Sequence, residues 1–306
     1  MDPSPDRLPL TVIGGYLGAG KTTLLNGILA RPDGQRIAVL VNDFGDVDID
    51  GRLLASAAGD VLTLANGCIC CSMVDGFAET LDTVRGFADR IDRVVVEVSG
   101  VGEPRKVARW AHLPGFTPDG VVVLVDPLSV RDRATDRYVG ETVVNQVAGA
   151  DLVVMSRSDV ASEADLVGTE AWVSSITDAT ILRTPVPTAV LLGPAPRSLS
   201  DEPAGVAPTP TSPPHDHVSI SRLLNGPITR ASIETWTRAR PGGVVRAKGL
   251  VRVDDRPDDR TVLQVCGSTT TVTVDGLWDG GAEAVVAIAL PGTPRAALVK
   301  WLNLLG

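Results

Sequence analysis

A glycine-rich stretch near the start of the sequence has the residue types and spacing that bind polyphosphates. It fits the pattern G-x-x-x-x-G-K-[ST] and lies between an apolar run at residues 10–13 and a helical pattern at residues 24–29, the context that this pattern requires. The predicted nucleotide-binding residues are Gly15, Leu17, Gly18, Ala19, Gly20, Lys21, Thr22 and Thr23. The alternative, a glycine-rich turn beside a surface lysine, explains neither the spacing nor the preceding strand.

These residues suit phosphate for three physical reasons. Glycine lets the backbone turn tightly while successive N–H groups point inward. The turn runs into a helix N-terminus, where free N–H groups and the helix dipole favour an anion. The Lys21 ammonium is predicted to reach the outer phosphates and the Thr22 hydroxyl to bind Mg²⁺, so both are predicted catalytic residues.

Three of the four cysteines fall within four residues and could bind a metal ion. Cys68, Cys70 and Cys71 would present soft, anionic thiolates that suit Zn²⁺, Co²⁺ or Cu⁺, and thiolates alone do not choose between Zn²⁺, Co²⁺ and Fe²⁺. A tetrahedral ion needs one further ligand, which could be the Asp43 carboxylate, water or a partner. Two alternatives stay open: buried thiols acting as small hydrophobes, or a vicinal disulfide between Cys70 and Cys71.

Further candidate residues follow two other strand-like runs. Residues 42–51 form a carboxylate-rich loop, either a switch segment ordered by γ-phosphate and Mg²⁺ or a solvated surface loop. Glu97 is predicted to hold a Mg²⁺-bound water as a catalytic residue, and the Gly100 N–H to sense the γ-phosphate.

A polar turn at residues 156–159 is a candidate site for the nucleotide base. Ser156, Arg157 and Asp159 are predicted to bind it, because an aspartate can accept hydrogen bonds from guanine N1 and N2 groups, which adenine cannot supply. The alternative is that Asp159 is the N-cap of a helix near residue 161.

The order of segments predicts an α/β fold of the P-loop class. Short Val-rich runs alternate with amphipathic segments over residues 10–192, which is typical of a mostly parallel sheet with helices on both faces. Ligands of such sheets lie at the carboxyl ends of the strands, which is where these motifs occur. The predicted strands are residues 10–14, 36–41, 60–64, 93–98, 120–125, 151–155 and 179–183.

Composition divides the chain into two domains. Seven of the 22 prolines lie between residues 194 and 214, which predicts a semi-extended linker. We therefore assign residues 1–192 to a P-loop domain, 193–215 to the linker and 216–306 to a smaller α+β domain. The strands predicted in the smaller domain are residues 218–220, 244–253, 261–266, 270–274 and 284–290, with helices near 230–239 and 294–304.

Charge and hydropathy argue against two classes of partner. The 28 Lys and Arg are outnumbered by 37 Asp and Glu, and no basic stripe stands out, so we expect no nucleic-acid partner. No apolar run approaches the roughly 18 residues that cross a bilayer, and the N-terminus lacks a signal pattern. We therefore expect no membrane association, a cytoplasmic location and cysteines in the thiol form.

Together, these motifs resemble the CobW-type metallochaperone GTPases, which are related to UreG and HypB. The resemblance covers nearly the whole chain, and the smaller domain resembles the CobW C-terminal domain. It is carried by residues 15–23, 42–45, 68–71, 97–100, 146–151 and 246–249. The resemblance implies a protein that hydrolyses GTP and delivers a transition metal, often zinc, to a client metalloprotein.

Three features depart from the family pattern. Ser156 and Arg157 stand where the family usually has the Asn and Lys of Asn-Lys-x-Asp, while Asp159 is kept. Asp43 replaces a Glu, which shortens the reach of the carboxylate. The interdomain segment, often His-rich in the family, keeps only His215 and His217.

We therefore expect a GTP-dependent metallochaperone in which the nucleotide and metal sites alter each other's affinity. Hydrolysis should be slow, because the motifs place no cis arginine finger and no water-orienting glutamine, so a client or a second subunit in a homodimer could be needed. Two alternatives are a P-loop kinase of a small molecule, which leaves the cysteines without a role, and a metal-responsive switch that binds nucleotide mainly to regulate a partner.

Overall fold

The computed structural model describes residues 7–41, 62–65, 74–193, 217–278, 280 and 283–306. These residues form two compact units, Arg7–Thr188 and Ala189–Gly306. Every helix within the described ranges is too short or too polar to span a bilayer.

Within the described residues, the first unit is built on a seven-stranded parallel sheet with the strand order β3-β2-β4-β1-β5-β6-β7. Its strands are β1 (Leu8–Gly14), β2 (Ile37–Val41), β3 (Leu62–Ala65), β4 (Arg93–Glu97), β5 (Phe116–Val125), β6 (Leu152–Met155) and β7 (Thr180–Arg183). Its helices are α1 (Lys21–Ala30), α2 (Val74–Arg85), α3 (Pro104–Ala108), α4 (Val130–Thr135), α5 (Gly140–Ala148) and α6 (Glu163–Ser174), with a 3₁₀ helix at Arg109–His112. The predicted α/β fold of the P-loop class is confirmed.

The central strands are apolar along their length because both faces of the sheet are covered. Val94, Val95 and Val96 on β4 are fully buried, although successive side chains of a strand point to opposite faces. On one face, buried residues of β1, β4 and β5 pack with Phe77 and Leu81 of α2. This packing holds the loops at the strand ends in fixed relative positions.

Strand β5 begins at Phe116, four residues before the predicted start at residue 120. The prediction missed this part because Pro118 and Asp119 interrupt the apolar pattern. In the structure Asp119 is buried and accepts hydrogen bonds from the Thr11 hydroxyl and the Arg93 guanidinium. These buried hydrogen-bond donors therefore offset the cost of burying the charged Asp119 side chain inside the strand.

Among the described residues, the second unit is a five-stranded antiparallel sheet with the strand order β11-β10-β9-β12-β8. Its strands are β8 (Val218–Leu223), β9 (Val244–Val253), β10 (Arg256–Cys266), β11 (Thr269–Leu277) and β12 (Ala284–Ala289). The helices are α7 (Thr188–Leu192), which begins at the last residue of the first unit, α8 (Arg230–Arg238) and α9 (Arg295–Leu302), followed by a 3₁₀ turn at Asn303–Leu305. Strand β10 starts five residues before the predicted residue 261, at a polar stretch that apolar patterning does not mark.

Two tryptophans form the centre of the second unit's core. The rings of Trp236 on α8 and Trp301 on α9 stack 4.6 Å apart, and the Trp301 indole N–H donates to the Trp236 carbonyl at 2.7 Å. They pack against buried residues of the sheet, including Ala247 and Leu263. The two helices therefore cover one face of this sheet.

Candidate nucleotide-binding site

The loop between β1 and α1 has the backbone that the glycine pattern predicts. Gly15 and Gly20 have φ angles of 134° and 94°, which L side chains rarely adopt. A Cβ on Gly15 would also lie 2.5 Å from the Leu124 carbonyl oxygen, because the loop crosses directly over β5. Within this loop Ala19 is buried, whereas Leu17 and Gly18 are exposed. We call residues 15–20 the phosphate loop.

Helix α1 begins directly after the phosphate loop, at Lys21. The Lys21 side chain folds back over the loop, and its ammonium donates to the Gly15 carbonyl oxygen at 3.0 Å. The N-cap, Gly20, supplies no side-chain acceptor to the N–H groups of the first turn. Thr22 is half-buried and Thr23 exposed on this turn. The first-turn N–H groups of α1, the helix dipole and the Lys21 ammonium therefore converge on one loop, which is an arrangement that binds phosphate.

The predicted γ-phosphate residues lie beside this loop. Glu97 is the buried last residue of β4, and it is paired in register with Ile13 of β1, two residues before the phosphate loop. A Cβ on Gly100 would lie 2.8 Å from the Leu17 backbone nitrogen, so the loop after β4 rests on the phosphate loop. The Glu97 carboxylate and the Thr22 hydroxyl are oxygen ligands of the kind that Mg²⁺ prefers.

The predicted base-binding turn is also adjacent. The Ser156 Cβ lies 3.5 Å from the position that a Cβ on Gly20 would take. Arg157 adopts a left-handed φ of 51° and donates from Nη1 to the Asp126 carboxylate at 2.7 Å. The first unit thus brings together the phosphate loop, the loop after β4 and residues 156–159 at the carboxyl ends of its strands.

Asp159 is exposed and does not cap a helix. Helix α6 starts at Glu163, and its N-cap is Ser162, whose hydroxyl accepts the Asp165 N–H at 3.2 Å. The alternative role considered for Asp159 is therefore wrong. Within the described ranges the Asp159 carboxylate has no hydrogen-bond donor.

The motifs did not identify Asp126, which the structure places at this site. It follows β5 directly, is buried, and accepts both the Leu128 N–H and the Arg157 guanidinium. The sequence did hold one signal for Asp126: it directly follows a buried strand, as the other candidate site residues do.

Several predicted metal ligands lie outside the described residues. These are Asp43, Cys68, Cys70 and Cys71. His215, to which the sequence assigns no role, also lies outside them. Elsewhere, Cys266 ends β10 and is buried in the second unit. His112 is exposed at the end of the 3₁₀ helix, and His217 is half-buried just before β8.

The phosphate loop, the lysine after it and the parallel sheet define a P-loop nucleotide-binding protein. Residues 9–182 match the model of the CobW/HypB/UreG nucleotide-binding domain, and residues 218–302 match the Cobalamin synthesis protein cobW C-terminal domain. The chain belongs to the CobW/HypB/UreG family and carries the CobW C-terminal domain. The predicted family and the predicted GTPase class are confirmed.

Three curated relatives illustrate this membership. The zinc chaperone CobW of Sinorhizobium sp is 28% identical, over 95% of this chain and 95% of that protein. The zinc chaperone YjiA of Escherichia coli K12 is 35% identical, over 52% of each chain. The zinc-regulated GTPase metalloprotein activator 1 of Schizosaccharomyces pombe is 31% identical, over 53% of this chain and 41% of that protein. This chain therefore spans nearly the whole of the first relative and about half or less of the other two.

Proposed function

We propose that this protein hydrolyses GTP and uses the nucleotide cycle to bind a transition metal, most often Zn²⁺, and to transfer it to a client metalloprotein. The observation that carries the nucleotide part is the convergence of Lys21, Gly100 and residues 156–159 on one phosphate loop. The names of the three relatives support zinc as the metal.

Two side chains would recognise the base. The Arg157 guanidinium is planar and anchored by Asp126, so it would stack on the base while its charge stays paired. The Asp159 carboxylate would accept the N1 and N2 hydrogens of guanine. Adenine cannot supply this pair of donors, and a carboxylate left facing it would stay unpaired, so the turn would favour guanine even without the family's Asn and Lys.

At the other end of the nucleotide, the phosphates would displace the Gly15 carbonyl as the partner of Lys21. The first-turn N–H groups of α1 would donate to the same phosphates. Mg²⁺, when bound, would neutralise charge on the phosphate oxygens, with Thr22 as a direct ligand and Glu97 orienting a water.

The metal-binding part of this proposal rests on the sequence. Cys68, Cys70 and Cys71 supply three thiolates, and Asp43 is the candidate fourth ligand. Asp43 follows β2 by two residues and the cysteines follow β3, the strand paired with β2. Co²⁺ and Fe²⁺ remain alternative cargoes, because thiolate chemistry does not discriminate strongly among these ions.

Metal analysis tests this assignment. Anaerobic protein would be loaded with Zn²⁺ and a non-hydrolysable GTP analogue, desalted and analysed for zinc beside a Cys68→Ser, Cys70→Ser, Cys71→Ser triple variant. The matched control is Cys266→Ser, which removes a buried thiol of the second unit. We expect stoichiometric zinc in the wild type and the control and none in the triple variant. Equal zinc content in all three proteins would show that Cys68, Cys70 and Cys71 do not bind the metal.

A further inference from the structure

A buried glutamine on α5 holds the loop that follows β4. The Gln146 side chain is 2% exposed, and its Nε2 donates to the Gly100 carbonyl oxygen at 3.0 Å and the Gly102 carbonyl oxygen at 2.7 Å. Both partners are acceptors, so only the NH₂ end of the amide can make these bonds. One side chain therefore uses both of its donor hydrogens on one short loop.

The loop that Gln146 holds has little room to move. A Cβ on Gly100 would lie 2.5 Å from the Leu17 side chain, and one on Gly102 would lie 2.5 Å from the Val98 side chain. The Gly102 N–H also closes a tight turn onto the Ser99 carbonyl at 2.9 Å. Gln146 and Leu17 line one cavity of about 20 Å³, which has room for a single water. A shift of this loop would therefore press directly on the phosphate loop.

A second polar tie joins the same two segments of the chain. Arg105 on α3 donates to both carboxylate oxygens of Asp151, at 3.2 and 3.0 Å, just before β6. Asp151 is buried and also accepts the Val121 N–H at 2.8 Å. The segment from Gln146 to Asp151 thus holds both the loop after β4 and helix α3, which follows that loop. The segment is in turn held to β5 by the hydrogen bond between Asp151 and Val121.

We propose that Gln146 is a positioning residue that sets the preference of the site for a triphosphate over a diphosphate; the proposal rests on the proposed binding of GTP. The C=O and N–H of a trans peptide point in opposite directions. By holding the Gly100 and Gly102 oxygens toward α5, Gln146 turns the N–H groups of Val101 and Glu103 away from it and fixes the position of Gly100, whose own N–H is the predicted sensor of the γ-phosphate. This fixes the peptide orientation of the loop that the γ-phosphate must meet, whereas a diphosphate leaves this loop without a partner.

The test is the ratio of two affinities in Gln146→Met, which keeps the length of the side chain and removes both donors. Calorimetry would give dissociation constants for GDP and for a non-hydrolysable GTP analogue. We expect the affinity for the analogue to fall about tenfold, as loss of two hydrogen bonds implies, while the affinity for GDP is unchanged. Gln146→Leu should behave alike, because a leucine side chain also has no donor.

The matched control is Gln35→Met, since Gln35 is also a buried glutamine and accepts the Arg93 Nε–H at the amino ends of the strands. It should lower stability and leave the ratio of affinities at the wild-type value. Equal losses for both nucleotides in Gln146→Met, an unchanged ratio, or the same change of ratio in Gln35→Met would each overturn the proposal.

Hydrogen exchange on the wild-type protein keeps the proposal testable if the Gln146 variants fail to fold. The amides of Gly100, Val101 and Glu103 should exchange more slowly with the GTP analogue than with GDP, and equal rates would overturn the proposal. A wild type that binds both nucleotides but neither hydrolyses GTP nor holds zinc would refute the proposed function alone. A wild type that binds no guanine nucleotide would refute both.

Discussion

The two ends of the seven-stranded sheet use polar residues in different ways. At the amino ends of the strands, Arg93 and Asp119 form a buried ion pair. Asp119 also accepts the Thr11 hydroxyl at 2.5 Å, and Gln35 accepts the Arg93 Nε–H at 2.8 Å. Polar side chains here satisfy one another, and the network is closed to solvent.

At the carboxyl ends, Arg157 pairs with Asp126, but the other polar groups named at the site face backbone or solvent. Lys21 bonds to a loop carbonyl, Gln146 to two loop carbonyls, and Asp159 is exposed. Side chains that saturate one another stabilise the fold, whereas those that bond to the glycine loops position the backbone that would meet the nucleotide. Substitutions at the amino ends should therefore change stability, and those at the carboxyl ends should change nucleotide binding and hydrolysis.

The largest effect is expected from Asp119→Ala at the amino ends. It leaves the fully buried Arg93 guanidinium without its carboxylate, so the free energy of unfolding should fall by about 3–5 kcal/mol. Urea denaturation would measure this change. The double variant Arg93→Met, Asp119→Leu should recover much of the lost stability, because it leaves no buried charge at either position. A decrease in the free energy of unfolding below about 1 kcal/mol, which is typical of a solvent-exposed ion pair, would show that this network contributes less to stability than we infer.

At the opposite end, Lys21→Ala should reduce GTP hydrolysis about 10²–10³-fold, as loss of one preorganised charge-stabilising group does elsewhere. Stability should change by at most about 1.5 kcal/mol, the net worth of one hydrogen bond. Single-turnover hydrolysis is the measurement, with Lys300→Ala on the exposed face of α9 as the control. Hydrolysis that survives in Lys21→Ala would place the active groups elsewhere.

A smaller effect is expected from Asp159→Asn, which replaces an acceptor by a donor at the base edge. GTP affinity should fall about 10- to 100-fold, the worth of hydrogen bonds to a charged group, and the affinity for the xanthine nucleotide should rise. Competition binding would measure both values, with the exposed Asp178→Asn as the control. An unchanged preference for guanine would exclude Asp159 from the base site.

The smallest effect is expected from Arg36→Ala, again at the amino ends. Arg36 is partly exposed and pairs with the buried Asp92, which would keep the Arg36 backbone N–H as a donor. We expect a loss of about 1 kcal/mol in the free energy of unfolding, with nucleotide affinity unchanged. A change in GTP affinity would show that the two ends of the sheet are not independent.

The sequence analysis singled out residues at the carboxyl ends and none of the amino-end network, for a physical reason. The phosphate loop is local, since the pattern from Gly15 to Thr22 needs only a strand before it and a helix after it. The Arg93–Asp119 pair joins two separate strands, and no local pattern shows that these charges meet. Gln146 illustrates the same limit, because its partners lie more than forty residues earlier in the chain.

Asp159 shows why a local pattern can also mislead. Asp159 and Ser162 are both good N-cap residues three positions apart, and propensity does not choose between them. The structure chooses Ser162, because Arg157 takes a left-handed conformation and the helix begins only at Glu163.

The most direct test of the account compares Zn²⁺ affinity in two nucleotide states, by competition against a chelating dye. If the carboxyl ends couple the γ-phosphate to the metal, the complex with Mg²⁺ and a GTP analogue should bind Zn²⁺ about 5- to 150-fold more tightly than the GDP complex. Equal affinities in the two states would contradict the account.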